Sequence, residues 1–160
     1  MRTNNGRVKN IIVSVYFILI VLAIVLATIF SAFSHLTSNP FLTFVILLVG
    51  FLVLFFSVHA ISKYFEYDSD GVKVVVINKG LLLTEYLNYR EHKLEFDKDR
   101  LMAFKFKNYI FYKSLTFYIK NSRDKIKKET FNVTLVTKKK RRFIGQSLSK
   151  IVKNNTKPTN

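Results

Sequence analysis

Apolar residues fill most of the first third of the chain, and charged residues are excluded from it. From residue 10 to residue 62 there is no Lys, Arg, Asp or Glu. Two uncharged stretches, residues 11–33 and 41–61, are each long enough to cross a hydrocarbon core of roughly 30 Å as a helix. The short connection between them ends in Asn39-Pro40, a pair that favours a turn. The pattern therefore predicts an antiparallel hairpin of two transmembrane helices.

After residue 63 the hydrophobic pattern changes to alternation with period two. The predicted strands cover residues 64–67, 72–78, 81–86, 93–96, 102–107, 115–120 and 131–136. Turns are predicted at residues 68–71, where Gly71 would supply a positive φ, at Lys79-Gly80, and at residues 121–124. Apolar and polar residues alternate in the last three strands, which indicates an antiparallel sheet with one buried and one solvated face.

The end of the chain changes period again, from strand to helix. Thr137 is a predicted N-cap because threonine side chains accept hydrogen bonds from the first turn of a helix. The apolar residues that follow at helical spacing on one face are Phe143, Ile144, Leu148, Ile151 and Val152. We expect a terminal helix of about 14–16 residues that covers the open side of the sheet.

Residues 64–72 form a strand-turn-strand opening, and residues 131–152 form a strand–helix ending. Together with the intervening strands and the preceding membrane hairpin, this arrangement resembles the bacterial pleckstrin-homology-like (PH-like) domains. The resemblance implies an α+β domain in which a partly open antiparallel β-barrel is closed by one C-terminal amphipathic helix. It also implies protein or lipid recognition rather than chemistry.

The expected organisation has four parts, and the charges around the helices give their orientation. The parts are residues 1–9 as an N-terminal segment, 10–62 as the anchor, 63–153 as the PH-like domain, and 154–160 as a flexible tail. Basic residues flank the hairpin at Arg2, Arg7, Lys9 and Lys63, whereas the connecting loop has none. The expected location is the bacterial inner (cytoplasmic) membrane, as a multi-pass protein, and for such a protein the positive-inside rule predicts that both termini lie in the cytoplasm.

A cleaved signal peptide is the alternative interpretation of the first apolar stretch. Basic residues precede the stretch, and small residues stand near its end at Ser31, Ala32 and Ser34. The stretch is nevertheless longer than the usual apolar region of a signal peptide, which has about 7–15 residues. The transmembrane interpretation is therefore preferred.

Charge is distributed unevenly along the rest of the chain. The whole sequence has 26 Lys and Arg against 10 Asp and Glu, a formal charge of +16. Residues 63–99 have 6 basic and 8 acidic residues, whereas residues 100–160 have 17 and 2. The densest basic run is Lys138, Lys139, Lys140, Arg141 and Arg142 at the predicted helix start. Cations oppose the helix dipole at that end, so the run predicts an anionic partner.

Three interpretations compete for this basic run. Anionic lipid headgroups attract basic residues that lie near a membrane surface. Nucleic acid is the second, because aromatic residues lie among the basic ones between residues 105 and 120. Tyr109, Phe111 and Tyr112 equally fit ordinary sheet packing, and no RNA or DNA motif is present. The third is a solvated surface without a ligand. A protein partner or an anionic lipid surface is the expected contact, and nucleic acid is disfavoured.

Small residues on the predicted transmembrane helices suggest a second kind of contact. Ala23, Ala27 and Ser31 recur at spacing four on the first helix, and Gly50 lies on the second. Small residues at this spacing let another helix approach closely. The partner helix is either the other arm of the hairpin or a helix of another protein. The second case would make the chain an accessory or immunity-type subunit of a larger inner-membrane complex.

Candidate catalytic chemistry is sparse. The chain has no Cys, and its three histidines, His35, His59 and His92, lie in the loop, the anchor and the soluble part. The acidic residues Glu91, Glu95, Asp97 and Asp99 alternate with basic ones, which favours a solvated, self-neutralised loop over a metal site. We expect no catalytic residues, no metal and no cofactor. The sequence thus predicts a non-enzymatic, membrane-anchored binding or scaffold module.

Overall fold

The structure is a computed structural model that describes residues 1–33, 39–80, 91–121 and 125–156, without the side chains of residues 31–33. The chain divides into two compact units. One, here called the β unit, comprises Met1–Gly6 and Ile61–Asn160, and the other, the helical unit, comprises Arg7–Ala60. The predicted strand at residues 81–86 and the predicted turn at residues 122–124 lie outside the described residues.

The helical unit contains two long apolar helices, as predicted. They are α1, Lys9–Phe33, and α2, Pro40–Ile61. Both are long and apolar enough to cross a membrane. Their large side chains are exposed rather than packed in a core, as at Phe17, Phe41 and Phe56, which are 66%, 77% and 63% exposed. Such surfaces are stable in lipid and not in water, because exposed apolar area is unfavourable in water.

The start of α2 follows from its first two residues. The Asn39 side chain accepts a hydrogen bond from the backbone N–H of Leu42 at 3.2 Å. Pro40 occupies the first helical position, where a missing N–H has no cost. The Asn-Pro pair that predicts a turn therefore also begins the second helix.

The β unit contains seven described strands in two antiparallel sheets. The first sheet has the order β1-β2-β3-β4, with β1 Arg2–Asn4, β2 Lys63–Asp68, β3 Lys73–Gly80 and β4 His92–Asp97. The second has the order β5-β6-β7, with β5 Leu101–Asn108, β6 Lys113–Lys120 and β7 Ile126–Asn132. The terminal helix, α3, spans Lys138–Asn155.

Both sheets and α3 contribute to one hydrophobic core. Its buried side chains are Phe65, Tyr67, Val74, Val76, Leu94, Phe96, Leu101, Leu115, Phe117, Ile119, Phe131, Val133, Val136, Ile144, Leu148 and Ile151. On β2, β3 and β4 the buried residues lie two positions apart, which is the alternation that predicted these strands. The described strands form two sheets that share a core and do not close into a barrel.

Asn78 joins the two sheets through side-chain hydrogen bonds rather than a strand ladder. Its Nδ2 donates to the carbonyl of Tyr64 at 2.8 Å and to the carbonyl of Asn132 at 3.1 Å. Its Oδ1 accepts from the Asn132 backbone N–H at 3.2 Å. The Asn78 side chain thus provides hydrogen bonds between the two sheets, which strand pairing would provide in a closed barrel.

The terminal helix is confirmed, although its length and buried face differ from the prediction. The Thr137 hydroxyl accepts from the Lys140 backbone N–H, so Thr137 is the N-cap. The helix has 18 residues. Asn155 fixes its last turn by donating from Nδ2 to the carbonyls of Lys98 and Leu101. This anchoring extends the helix into the segment that was expected to be a flexible tail. Phe143 is 42% exposed and does not belong to the buried face.

Several strand boundaries were predicted wrongly. The strand expected at residues 131–136 is instead β7, which ends at Asn132, because the Asn132 side chain accepts from the Thr134 backbone N–H and turns the chain. Lys79-Gly80 is not a turn, since both residues pair with β2. Gly71 does not adopt a positive φ, and Asp68 shapes this turn by accepting from the Asp70 backbone N–H at 2.9 Å.

The strand β1 was not predicted from the sequence. Arg2–Asn4 precedes α1 in the chain yet pairs with β2 at the edge of the first sheet. The Arg2 guanidinium contacts the Glu66 carboxylate at 2.7 Å. Three residues are too few for an alternating pattern to be recognised, so the segment was interpreted only by its charge.

Candidate anion-binding surface

The five basic residues that were predicted to bind an anionic partner all lie at the start of α3, but their contacts differ. Lys140 donates from Nζ to the carbonyl of Asn4, and Arg141 donates from Nη1 to Asn108 Oδ1 at 3.1 Å. Lys138, Lys139 and Arg142 are exposed. Among the described residues, no hydrogen bond or ion pair engages these three side chains. Three of the five positions are therefore free to meet a ligand, and two hold the helix in place.

A shallow groove of about 340 Å³ lies beside this helix start. Its lining residues are Phe106, Asn108, Lys138, Arg141, Arg142 and Gly145. A Cβ on Gly145 would lie 3.6 Å from the Phe106 ring, so the glycine leaves the ring uncovered. The groove has an apolar floor and a cationic rim, and no carboxylate lines it.

The backbone adds to the positive potential at this end of the helix. The first turn of α3 contains no acidic residue. The unpaired N–H groups of a helix start carry a partial positive charge, which the exposed cations reinforce. An anion placed there would be attracted both by the side chains and by the helix end.

The hairpin between β5 and β6 contributes Asn108 to the same groove. Its four tip residues, Tyr109–Tyr112, are closed by a hydrogen bond from the Tyr109 N–H to the Tyr112 carbonyl at 2.8 Å. Ile110 is 88% exposed and Phe111 is 78% exposed. Asn108 at the base of the tip is the residue that binds Arg141. The sequence offered ordinary sheet packing for these aromatic residues, but the structure places them outside the core.

The two acidic residues of β4, Glu95 and Asp97, form ion pairs. Glu95 lies 3.0 Å from Lys73 Nζ and 3.7 Å from Lys93 Nζ. The hydrogen bond from Lys73 lowers the pKa of Glu95. Asp97 lies 3.4 Å from Arg100 Nε. Within the described ranges, no group of three His, Cys, Asp or Glu side chains could hold a metal ion.

His92 lies at the junction of β4 with β7. Its ring stacks on Phe131 with a centroid distance of 4.3 Å, and its Nε2 lies 2.9 Å from Glu129 Oε2. Burial raises the pKa of Glu129, but hydrogen bonds from Lys127 and His92 outweigh that effect, so the net change is downward. These contacts tie the two sheets together and assign the histidine a structural role.

Two of the four small residues that were predicted for helix packing lie beside an apolar groove between α1 and α2. Ala23 and Ala27 line this groove, which has a volume of about 330 Å³. Aromatic rings of the two helices meet elsewhere along them, with Tyr16 and Phe55 centroids 5.1 Å apart. A Cβ on Gly50 would meet no described atom within 4 Å, so this glycine does not mark a close approach of the two helices. The side chain of Ser31 lies outside the described residues.

The architecture is compatible with an anchor joined to a β domain. It consists of two membrane-length apolar helices, two antiparallel sheets and a helix packed on their common core. Comparison with protein-family models, with curated proteins and with solved structures gave no match.

Proposed function

We propose that this protein is a non-enzymatic, membrane-anchored module whose β unit contacts anionic lipid headgroups. The observation that carries the proposal is the set of three exposed cations, Lys138, Lys139 and Arg142, at the positive end of α3. Each basic residue near an anionic membrane surface contributes about 1 kcal/mol, so three contribute about 3 kcal/mol. A contact of that strength is sufficient to orient a domain that is already tethered to the membrane.

The two apolar helices support integral membrane attachment. Their exposed side chains need a lipid environment, and each helix is long enough to cross one. The pairing of β1 with β2 supports a hairpin whose two ends lie on the same side of the membrane, because β1 precedes α1 and β2 follows α2. The basic flanks at Arg2, Arg7, Lys9 and Lys63 support the cytoplasmic side of a bacterial inner membrane.

A PH-like architecture for the β unit belongs to the same proposal. The support is the antiparallel meander in two sheets, followed by one C-terminal amphipathic helix that buries Ile144, Leu148 and Ile151 on the common core. A domain of this kind presents its loops and helix ends for recognition. The cationic start of α3 is such a helix end.

The test uses the full chain in lipid nanodiscs, because a fragment that starts at residue 63 would lack β1. The sequence has no Cys, so a single Gln146→Cys substitution on the exposed side of α3 can be labelled specifically with a fluorophore. Energy transfer to a headgroup-labelled lipid should be stronger in anionic than in neutral nanodiscs and should decline with salt. Replacing Lys138, Lys139 and Arg142 together with Gln should remove most of the difference.

The matched control removes the same charge elsewhere on the β unit. Lys105, Lys125 and Lys128 are also exposed, and their replacement with Gln should leave most of the lipid dependence intact. Equal transfer of the unmodified chain in neutral and anionic nanodiscs would contradict the lipid proposal. That outcome would favour a protein partner for the cationic surface.

The alternative function is that of an accessory or immunity-type subunit that contacts a larger inner-membrane complex through its helices. The specific observation in its favour is the apolar groove lined by Ala23 and Ala27 between α1 and α2. Small side chains there leave room for side chains of another transmembrane helix. In this case contacts with the complex, rather than contacts with lipid headgroups, would determine the position of the β unit.

A further inference from the structure

We propose that the β5–β6 hairpin tip, Tyr109–Tyr112, inserts into the interface of the bilayer that holds the anchor. The inference rests on the proposed contact between the β unit and anionic lipid, and it adds a second, apolar component to that contact. The cations at the start of α3 would meet the headgroups. The tip would reach the boundary between headgroups and acyl chains.

The exposure of the tip is the first observation. Ile110 and Phe111 are 88% and 78% exposed, and Tyr109 and Tyr112 beside them are 55% and 38% exposed. The four residues are consecutive and protrude together at the end of one hairpin. Contiguous exposed apolar groups on a soluble surface usually mark a binding surface.

The chemistry of the turn is the second observation. Tight hairpin turns favour Gly, Asn, Asp and Pro, because these residues adopt turn conformations at low cost. Here the two residues at the end of the hairpin are Ile110 and Phe111, which are not residue types that tight turns favour. Tyrosine on either side is suited to a membrane interface, since its ring is apolar and its hydroxyl is polar.

The charge around the base of the tip is the third observation, and it selects a lipid surface over other apolar partners. Lys107 and Lys113 stand on the two strands directly below the tip. Asn108 connects this base to Arg141 at the start of α3. No described carboxylate forms an ion pair with Lys107 or Lys113. An apolar tip with a cationic collar is complementary to acyl chains beneath anionic headgroups.

Chain connectivity favours insertion of the tip into the bilayer that holds the anchor, rather than into a second membrane. The helix α2 ends at Ile61 and the strand β2 begins at Lys63. A single residue, Ser62, therefore links α2 to β2. Tethering of this kind gives the tip a high effective concentration at its own membrane.

The experiment places an environment-sensitive fluorophore on the tip of the full chain in nanodiscs. Ile110→Cys provides the only thiol for labelling. In anionic nanodiscs we expect a blue shift, a several-fold rise in emission, and quenching by nitroxides attached near the top of the acyl chains. The matched control is Val72→Cys, which labels another apolar residue, 81% exposed, in the acidic turn between β2 and β3. The label at position 72 should show none of these changes.

A second variant tests the apolar contribution directly. Phe111→Ser in the Ile110→Cys background should abolish most of the blue shift and quenching, whereas Met102→Ser, at a residue that is 47% exposed on β5, should preserve both. Equal signals from labels at positions 110 and 72 would overturn the inference. If headgroup energy transfer from position 146 persists in that case, the proposed lipid contact stands without insertion. If that transfer is absent too, both proposals fail.

Discussion

Single asparagine side chains hold the β unit together at points that hydrophobic patterning does not mark. Asn5 is 2% exposed, and its Nδ2 donates to the Lys63 carbonyl at 3.0 Å. Its Oδ1 accepts from the Phe65 backbone N–H at 2.8 Å. Asn78 makes comparable bonds between the two sheets. These amides, buried at Asn5 and half-buried at Asn78, define which strands meet, because an unsatisfied partner is costly.

Asn5→Ala should destabilise the β unit by about 1–3 kcal/mol, since it removes two side-chain hydrogen bonds and leaves the Phe65 N–H without its acceptor. Pulse proteolysis of the full chain in nanodiscs across a urea series would measure the change in free energy of unfolding. Asn4→Ala is the neighbouring control. Its exposed side chain accepts one local bond from the Gly6 N–H, so we expect a smaller loss. Equal effects of the two substitutions would contradict this role for Asn5.

Residue-scale inference from the sequence was partly successful at the cationic site. The run Lys138–Arg142 was identified from its density of charge. Its predicted position at a helix start is confirmed by the structure. Charge alone could not separate the free cations from Lys140 and Arg141. Their partners, Asn4 and Asn108, are 136 and 33 residues distant in the sequence.

The terminal helix is the element that the sequence described best. Thr137, the helical period and the buried residues Ile144, Leu148 and Ile151 all agree with the structure. Its C-terminal end was misplaced because the bonds from Asn155 to the turn at Lys98–Leu101 come from a distant segment. Strands were less well bounded, since pairing across the sheet decides where a strand ends.

Gly145→Ala tests whether α3 carries an intrinsic weakness. Glycine in a helix interior costs up to about 1 kcal/mol relative to alanine. The new Cβ would lie 3.6 Å from Phe106, an ordinary contact distance. We therefore expect the free energy of unfolding of the β unit to rise by up to about 1 kcal/mol. Gln146→Ala, at an exposed position of the same helix, should change it by a few tenths. A loss of stability in Gly145→Ala would show that the groove beside Phe106 does not tolerate the methyl group.

At the scale of the whole molecule, the chain consists of two units with opposite relations to water. The helical unit exposes its apolar side chains, whereas the β unit buries one core and exposes its charges. The segment Met1–Gly6 belongs to the β unit even though the whole helical hairpin separates it from β2 in the sequence. The N-terminal segment is therefore a structural part of the β unit.

The alternative function makes a prediction at this scale. Replacing Ala23 and Ala27 together with Leu would fill the groove between α1 and α2, so a partner that packs there should be lost from gentle-detergent purification of native membranes. Ile18→Leu together with Val25→Leu is the control, because both residues are exposed on α1 and neither lines the groove. Retention of all co-purifying proteins in the Ala23, Ala27 variant would contradict a helix-mediated contact.

The sequence by itself determined the properties that depend on local composition and period. These are the two apolar helices, the alternating strands at β2, β4, β5 and β6, and the capped terminal helix with its run of cations. Each follows from residues that are close along the chain. The physical reason is that burial in a helix or strand face repeats at a fixed short spacing.

Tertiary structure alone decided which distant segments meet. It added β1 to the first sheet, joined the sheets through Asn78, engaged Lys140 and Arg141 in internal bonds, and left Ile110 and Phe111 at an exposed hairpin tip. The same apolar residue types occur in the core and at exposed positions. Only the packing of the other elements determines which of them is covered, because burial depends on neighbours that the local pattern does not contain.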